Sequence, residues 1–245
     1  MSTWIYRLAR ASWNARRRVV AIWLAVVLAD QGHAAREMRV VQRRQRHQQV
    51  FVGGLSMGAV MSMYLASEHP GQVAGLLMYS TTLRYDGWSI NKLAFMTPLL
   101  MKIPFGVHLC SFEEKPPYGI KNQRLRAIVE RQMKAGESSN AGLLTMEGIT
   151  VRELHRMNAV VKKRMPQIKV PALVLHSIED DITSRWNADY VERHLGGQVT
   201  KVLLDNCYHM ITVDLQYRRV IELSDAFIKK SSRTAPVPVE YLKQA

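Results

Sequence analysis

From residue 49 onward, apolar residues fall in short runs bounded by glycine and proline, the pattern of strands buried on both faces. Gln49–Gly53 is the first such run, and Val73–Tyr79 the second. Pro171 opens a third at Ala172–His176, and Val199–Leu204, more alternating, is a fourth. Between the first two, Ala59–Ser67 has helical spacing and closes at His69-Pro70. Leu215–Ile228 places Val220, Leu223 and Phe227 on one helical face, with Ile221 and Ile228 beside it. Strands alternating with helices predict an α/β fold with a mostly parallel sheet.

About ninety residues separate the second strand from the third, too many for a bare crossover loop. Helical patterns at 121–135 and 150–165, with Met96, Leu99, Leu100, Met101 and Met146, predict an inserted helical cap at about 84–168. The core then covers 49–230, and 231–245, with Pro236 and Pro238, reads as a flexible tail.

Composition divides the chain at a different place. Its 245 residues suffice for one domain with a sizeable core, and the 47% hydrophobic share excludes a mainly disordered chain. The net charge of +14 is uneven. Residues 1–50 hold ten Arg, no Lys, and only Asp30 and Glu37 as acids, whereas the remainder mixes both signs. With no aromatic interleaving and no recognised motif, this distribution argues against nucleic acid as a partner. Residues 1–48 form an Arg-rich leader with one apolar stretch, Val19–Ala29. A secretory signal and a basic helix at a membrane surface both fit it, as does a shifted reading frame joined to an ordinary domain. A cytoplasmic location is the default expectation. Cys110 and Cys207 have neither disulfide-framework nor metal-ligand spacing, so no metal and no cofactor is expected.

The candidate chemistry sits where the first strand ends. Gly54-Leu55-Ser56-Met57-Gly58 follows a strand and opens a helix, the context a strained nucleophile turn requires. Glycines flank the serine because a Cβ there would meet backbone, and the helix N-terminus favours developing negative charge. A serine hydroxyl is a weak nucleophile, so it needs a base, and the base needs an orienting carboxylate. Both follow in chain order. Glu179, Asp180 and Asp181 come after the third strand, and His209 comes after the fourth.

Gly53–Gly58, His176–Asp181 and His209–Asp214 together resemble an α/β-hydrolase of the group containing bacterial carboxylesterases and monoacylglycerol lipases. The resemblance covers roughly residues 49–230. It implies Ser56 as nucleophile, His209 as general base and Asp180 as the acid, four residues after His176, with Asp181 and Glu179 as rivals. It also implies the Met57 N–H as an oxyanion donor, and small carboxylic esters, short- to medium-chain or monoacylglycerols, as substrates. Phe95, Met96, Leu99, Leu100 and Met101 would line an acyl pocket. The sequence has no His-Gly pair for the second donor, and no room for the strands that normally precede the elbow. Val50-Phe51-Val52 would then be an exposed sheet edge unless covered by Val19–Ala29 or by a second copy of the chain. The sequence thus allows two classes: an active serine esterase, or a weakly active relative with a basic membrane-binding leader.

Overall fold

A computed structural model of the chain describes residues 19–23, 49–90, 111–113, 115–134 and 145–234. Among these, a five-stranded sheet forms the centre, in the spatial order β1 (Val19–Trp23), β2 (Gln49–Leu55), β3 (Gly75–Tyr79), β6 (Ala172–Ser177) and β7 (Val199–Leu204). Every neighbouring pair is parallel. Helices α1 (Met57–Glu68), α3 (Gly148–Arg164), α4 (Trp186–His194) and α5 (Tyr217–Thr234) cover its faces.

The period of two along each strand divides the core. Leu76 and Met78 of β3 and Ala172 and Val174 of β6 point to one face. There they meet Val60 and Met63 of α1, Val161 of α3 and Val191 of α4. Leu77 and Tyr79, Leu173 and Leu175 point to the other face, against Val220, Phe227 and Ile228 of α5. Phe51 of β2 meets Phe227 edge-on, ring centroids 6.2 Å apart. These central strands are buried on both sides, which is why they read as unbroken apolar runs. Each large side chain removed from water contributes roughly 1.5–3 kcal/mol.

One open alternative is decided and one expectation changes. β2 is not an edge, because Val19–Trp23 pairs with it from Val19 opposite Gln49 to Trp23 opposite Gly53. Of the two covers the sequence left open, the chain's own apolar segment satisfies this row of backbone groups. The segment assigned to a cap also differs from a purely helical insertion. It contains an antiparallel ribbon of β4 (Ser111–Glu113) and β5 (Thr145–Glu147) beside α2 (Gln123–Lys134) and α3. Three-residue strands are too short for any alternation to register in sequence. At its C-terminal end the segment enters the core, where Val161, Met165 and Ile168 are buried with residues of α1. The last helix runs to Thr234, past the boundary expected at 231.

Candidate active site

The parallel sheet collects the loops after β2, β3, β6 and β7 along its C-terminal edge, where ligands of open α/β sheets bind. Ser56 stands between β2 and α1 with φ 59° and ψ −118°, a conformation that costs a non-glycine residue about 1–3 kcal/mol. Surrounding bonds hold it there. Its N–H donates to the Tyr79 carbonyl at 2.8 Å, and its carbonyl accepts from the Ala59 N–H at 3.2 Å. The turn is so close that a Cβ on Gly54 would lie 2.3 Å from the Gly58 carbonyl carbon.

The acids after β6 separate clearly. The Asp180 carboxylate meets His209 Nδ1 at 2.9 and 3.0 Å through its two oxygens. It also accepts the N–H of Ile182 at 2.9 Å and the N–H and hydroxyl of Thr183 at 2.8 and 2.9 Å. Burial works against its ionisation, but the adjacent His209, with help from His176 and the Thr183 N–H, holds its carboxyl below the ordinary value. Asp181, one residue on, turns away and accepts the backbone N–H groups of Gly119 at 3.0 Å and His209 at 3.3 Å. Burial dominates there and pushes its carboxyl up. Glu179 pairs with Lys121 near the surface. Of the three candidates, only Asp180 reaches the imidazole.

Thr183, Ser80 and Thr82 of this network had no sequence signal. Thr183 touches both members of the pair, its hydroxyl on Asp180 and 3.3 Å from His209 Nδ1. Its carbonyl accepts from the Nε2 of His176, a fully buried ring whose Nδ1 has no partner among the described residues. Burial drives the His176 pKa down, against the pull of Asp180 3.7 Å away. Ser80, at φ 42°, donates its hydroxyl to the His209 carbonyl at 2.7 Å. The hydroxyls of Ser56 and Thr82 are hydrogen-bonded at 2.8 Å. Asp214 accepts four backbone N–H groups, from Lys121, Asn122, Tyr208 and Leu215, at 2.8–2.9 Å. It thereby ties the His209 loop to the segment entering α2. Asp214 ends a motif that carries the family resemblance, which is the one signal that could have found it.

Cys207 is buried, and that burial pushes its thiol up to about 12, which disfavours the thiolate. Among the described residues, no group of three or more His, Cys, Asp or Glu is placed to hold a metal ion. None of the described helices is long and apolar enough to cross a membrane. Phe95, Met96, Leu99, Leu100 and Met101, expected around the acyl group, lie outside the described residues.

A parallel sheet with a strained serine at a strand–helix turn, followed by an acid loop and a histidine loop, defines an α/β-hydrolase. The chain belongs to the family described as serine aminopeptidase, S33, whose model matches residues 28–216. It is similar to a thermostable monoacylglycerol lipase from Bacillus sp. (strain H-257), 27% identical over 188 residues. That match takes in 76% of this chain and 65% of the lipase, so the chain spans less than two thirds of this relative. Among solved structures, it resembles a soluble variant of monoglyceride lipase from Saccharomyces cerevisiae in complex with a substrate analog. The TM-score is 0.66 at 15% identity, over 83% of this chain and 71% of that one. It also resembles the monoacylglycerol lipase of Paleococcus ferrophilus, with TM-score 0.62 at 17% identity, over 82% and 74% of the two chains. At these identities the structural likeness bears on the fold alone.

Proposed function

We propose that the chain hydrolyses small carboxylic esters, short- to medium-chain acyl esters or monoacylglycerols, through an acyl-enzyme on Ser56. The observation that carries this reading is the buried contact between the Asp180 carboxylate and His209 Nδ1, at the same sheet edge as the strained serine. With Nδ1–H directed at Asp180, Nε2 is the nitrogen that serves as base. Ser56 Oγ attacks the ester carbonyl carbon while its proton passes to His209 Nε2. The carbonyl π pair moves onto oxygen, which the Met57 N–H stabilises at the first turn of α1, where amides have no partner within the helix. Collapse of this intermediate breaks the bond to the alcohol, which leaves with the proton from His209. Water then attacks the acyl-enzyme by the same route and regenerates Ser56. Asp180 stays ionised throughout and stabilises the imidazolium. The monoacylglycerol lipase relative supports the ester as substrate class.

The test is covalent labelling with a fluorophosphonate, beside turnover of p-nitrophenyl esters, monoacylglycerols and aminoacyl anilides. Labelling should disappear in Ser56→Ala, and esters should turn over in preference to anilides. Equal labelling of the variant would overturn the role of Ser56. Preference for the anilides would overturn the ester reading in favour of a peptidase.

A further inference from the structure

Thr82 follows β3 by three residues and is fully buried, yet its hydroxyl lies 2.8 Å from the oxygen of Ser56. A buried hydroxyl must be satisfied, and this one has two oxygens within reach: Ser56 Oγ, and the Ser80 carbonyl at 3.3 Å. Either hydroxyl can donate in the shorter contact, and with Ser56 donating to Thr82 the Thr82 proton goes to the Ser80 carbonyl. Once Ser56 gives its proton to the base, its oxygen can only accept, and the Thr82 hydroxyl is the donor beside it. We infer that Thr82 is a further catalytic residue: its buried hydroxyl donates a hydrogen bond to the Ser56 oxygen as that oxygen loses its proton and gains negative charge. This inference rests on the esterase reading above.

The surroundings hold Thr82 in place. Ser80 adopts φ 42°, and this sharp turn brings the chain back over the elbow. Ser80 N donates to the Leu175 carbonyl at 2.9 Å, and its hydroxyl fixes it to the His209 loop. Asn158 of α3 donates its amide to the carbonyls of Thr82 and Leu83, both at 3.3 Å. Asn187 of α4 accepts the N–H groups of Leu83 and Arg84, both at 2.9 Å. Two buried asparagines from two helices thus position three consecutive residues, the kind of support that preorganises a donor.

The chemistry follows from where charge appears on Oγ. In acylation, the O–H bond breaks as the O–C bond forms. In deacylation, the O–C bond breaks and Oγ recovers a proton from His209. In both transition states Oγ carries excess negative charge, and a donor that keeps its own proton stabilises it without being consumed. Thr82 makes no new bond, and the balance of the reaction is unchanged.

The experiment uses the full chain with Thr82→Val, Thr82→Ala and Thr82→Ser. It measures fluorophosphonate labelling rates, kcat and KM for p-nitrophenyl butyrate, and thermal melting. Loss of a hydrogen bond to a charged oxygen should lower kcat and the labelling rate about tenfold to a hundredfold in Val and Ala. KM should move little, as expected when an interaction made only in the transition state is removed. Thr82→Ser, which keeps the donor, should restore most of the rate. Thr82→Ala covers the case in which a valine methyl in the place of the hydroxyl disturbs folding. An unchanged or faster rate in the hydroxyl-free variants, with the parent chain active, overturns the inference alone. So does an equal loss in Thr82→Ser. A parent chain that neither labels nor turns over esters overturns the esterase reading, and this inference with it.

Discussion

Asp180 and Asp181 are consecutive, both are buried, and their carboxylates are used in different ways. Asp180 faces an imidazole and is held ionised, whereas Asp181 faces backbone amides and is pushed towards its neutral form. An amide at 180 would still fill the space, but it could not hold the imidazole in its Nδ1–H form or balance an imidazolium. Asp180→Asn should therefore lower kcat by about ten-thousand-fold, as the corresponding change does in a serine triad. Asp181→Asn removes a group that touches only backbone N–H in this network, at Gly119 and His209. It should cost stability and leave most of the activity. Steady-state kinetics on both variants decides the matter, and an Asp181→Asn variant that is the more severely inactivated would refute the assignment.

At the scale of elements, the turn between β2 and α1 controls the site, because its geometry leaves no space for a side chain at Gly54. Gly54→Ala would force Cβ against the backbone of Gly58. The elbow must then open, at a cost of about 1–3 kcal/mol in stability. Urea denaturation should register that loss, together with a fall in kcat as the serine moves. A variant of parental stability and rate would mean that the turn is looser than these distances require. The elbow was legible in sequence because its physics is local: strand, glycine, serine, glycine and helix are contiguous. The double-faced burial of β3 and β6 was legible for the same reason, as an unbroken apolar run. The partners of the elbow were less so. Three acids followed β6 in a row, and bare spacing could not say which one turns inward. Thr82 and Thr183 had no pattern at all, because a threonine in a loop gains meaning only from a side chain distant in sequence. β1 was hidden by composition, since Val19–Trp23 is a short apolar stretch inside an Arg-rich leader.

For the whole molecule, the buried groups beneath the site give stability a defined pH dependence. His176 lies among Asp180, His209 and Asp86, and burial holds it neutral, with its pKa below the ordinary 6.5. Once the chain unfolds, it ionises normally. Between its folded value and 6.5 the unfolded state binds the extra proton, so stability falls on acidification through that window. The slope approaches about 1.4 kcal/mol per pH unit for one such group. His155, lowered first by burial and then by Lys162, adds in the same direction. Asp180 acts at more acid pH, because its contribution is present above 3.8 and lost as pH falls through its depressed folded value. Asp181 has the opposite sign. Its raised value makes the fold bind the extra proton above 3.8, which returns stability on acidification. Urea midpoints should therefore fall between about pH 7.5 and about pH 5.5. His176→Gln, whose amide can still donate to the Thr183 carbonyl, should flatten that fall. If His176→Gln showed the same pH dependence as the parent chain, the sensitivity would belong to other groups and this account of the buried histidine would be wrong.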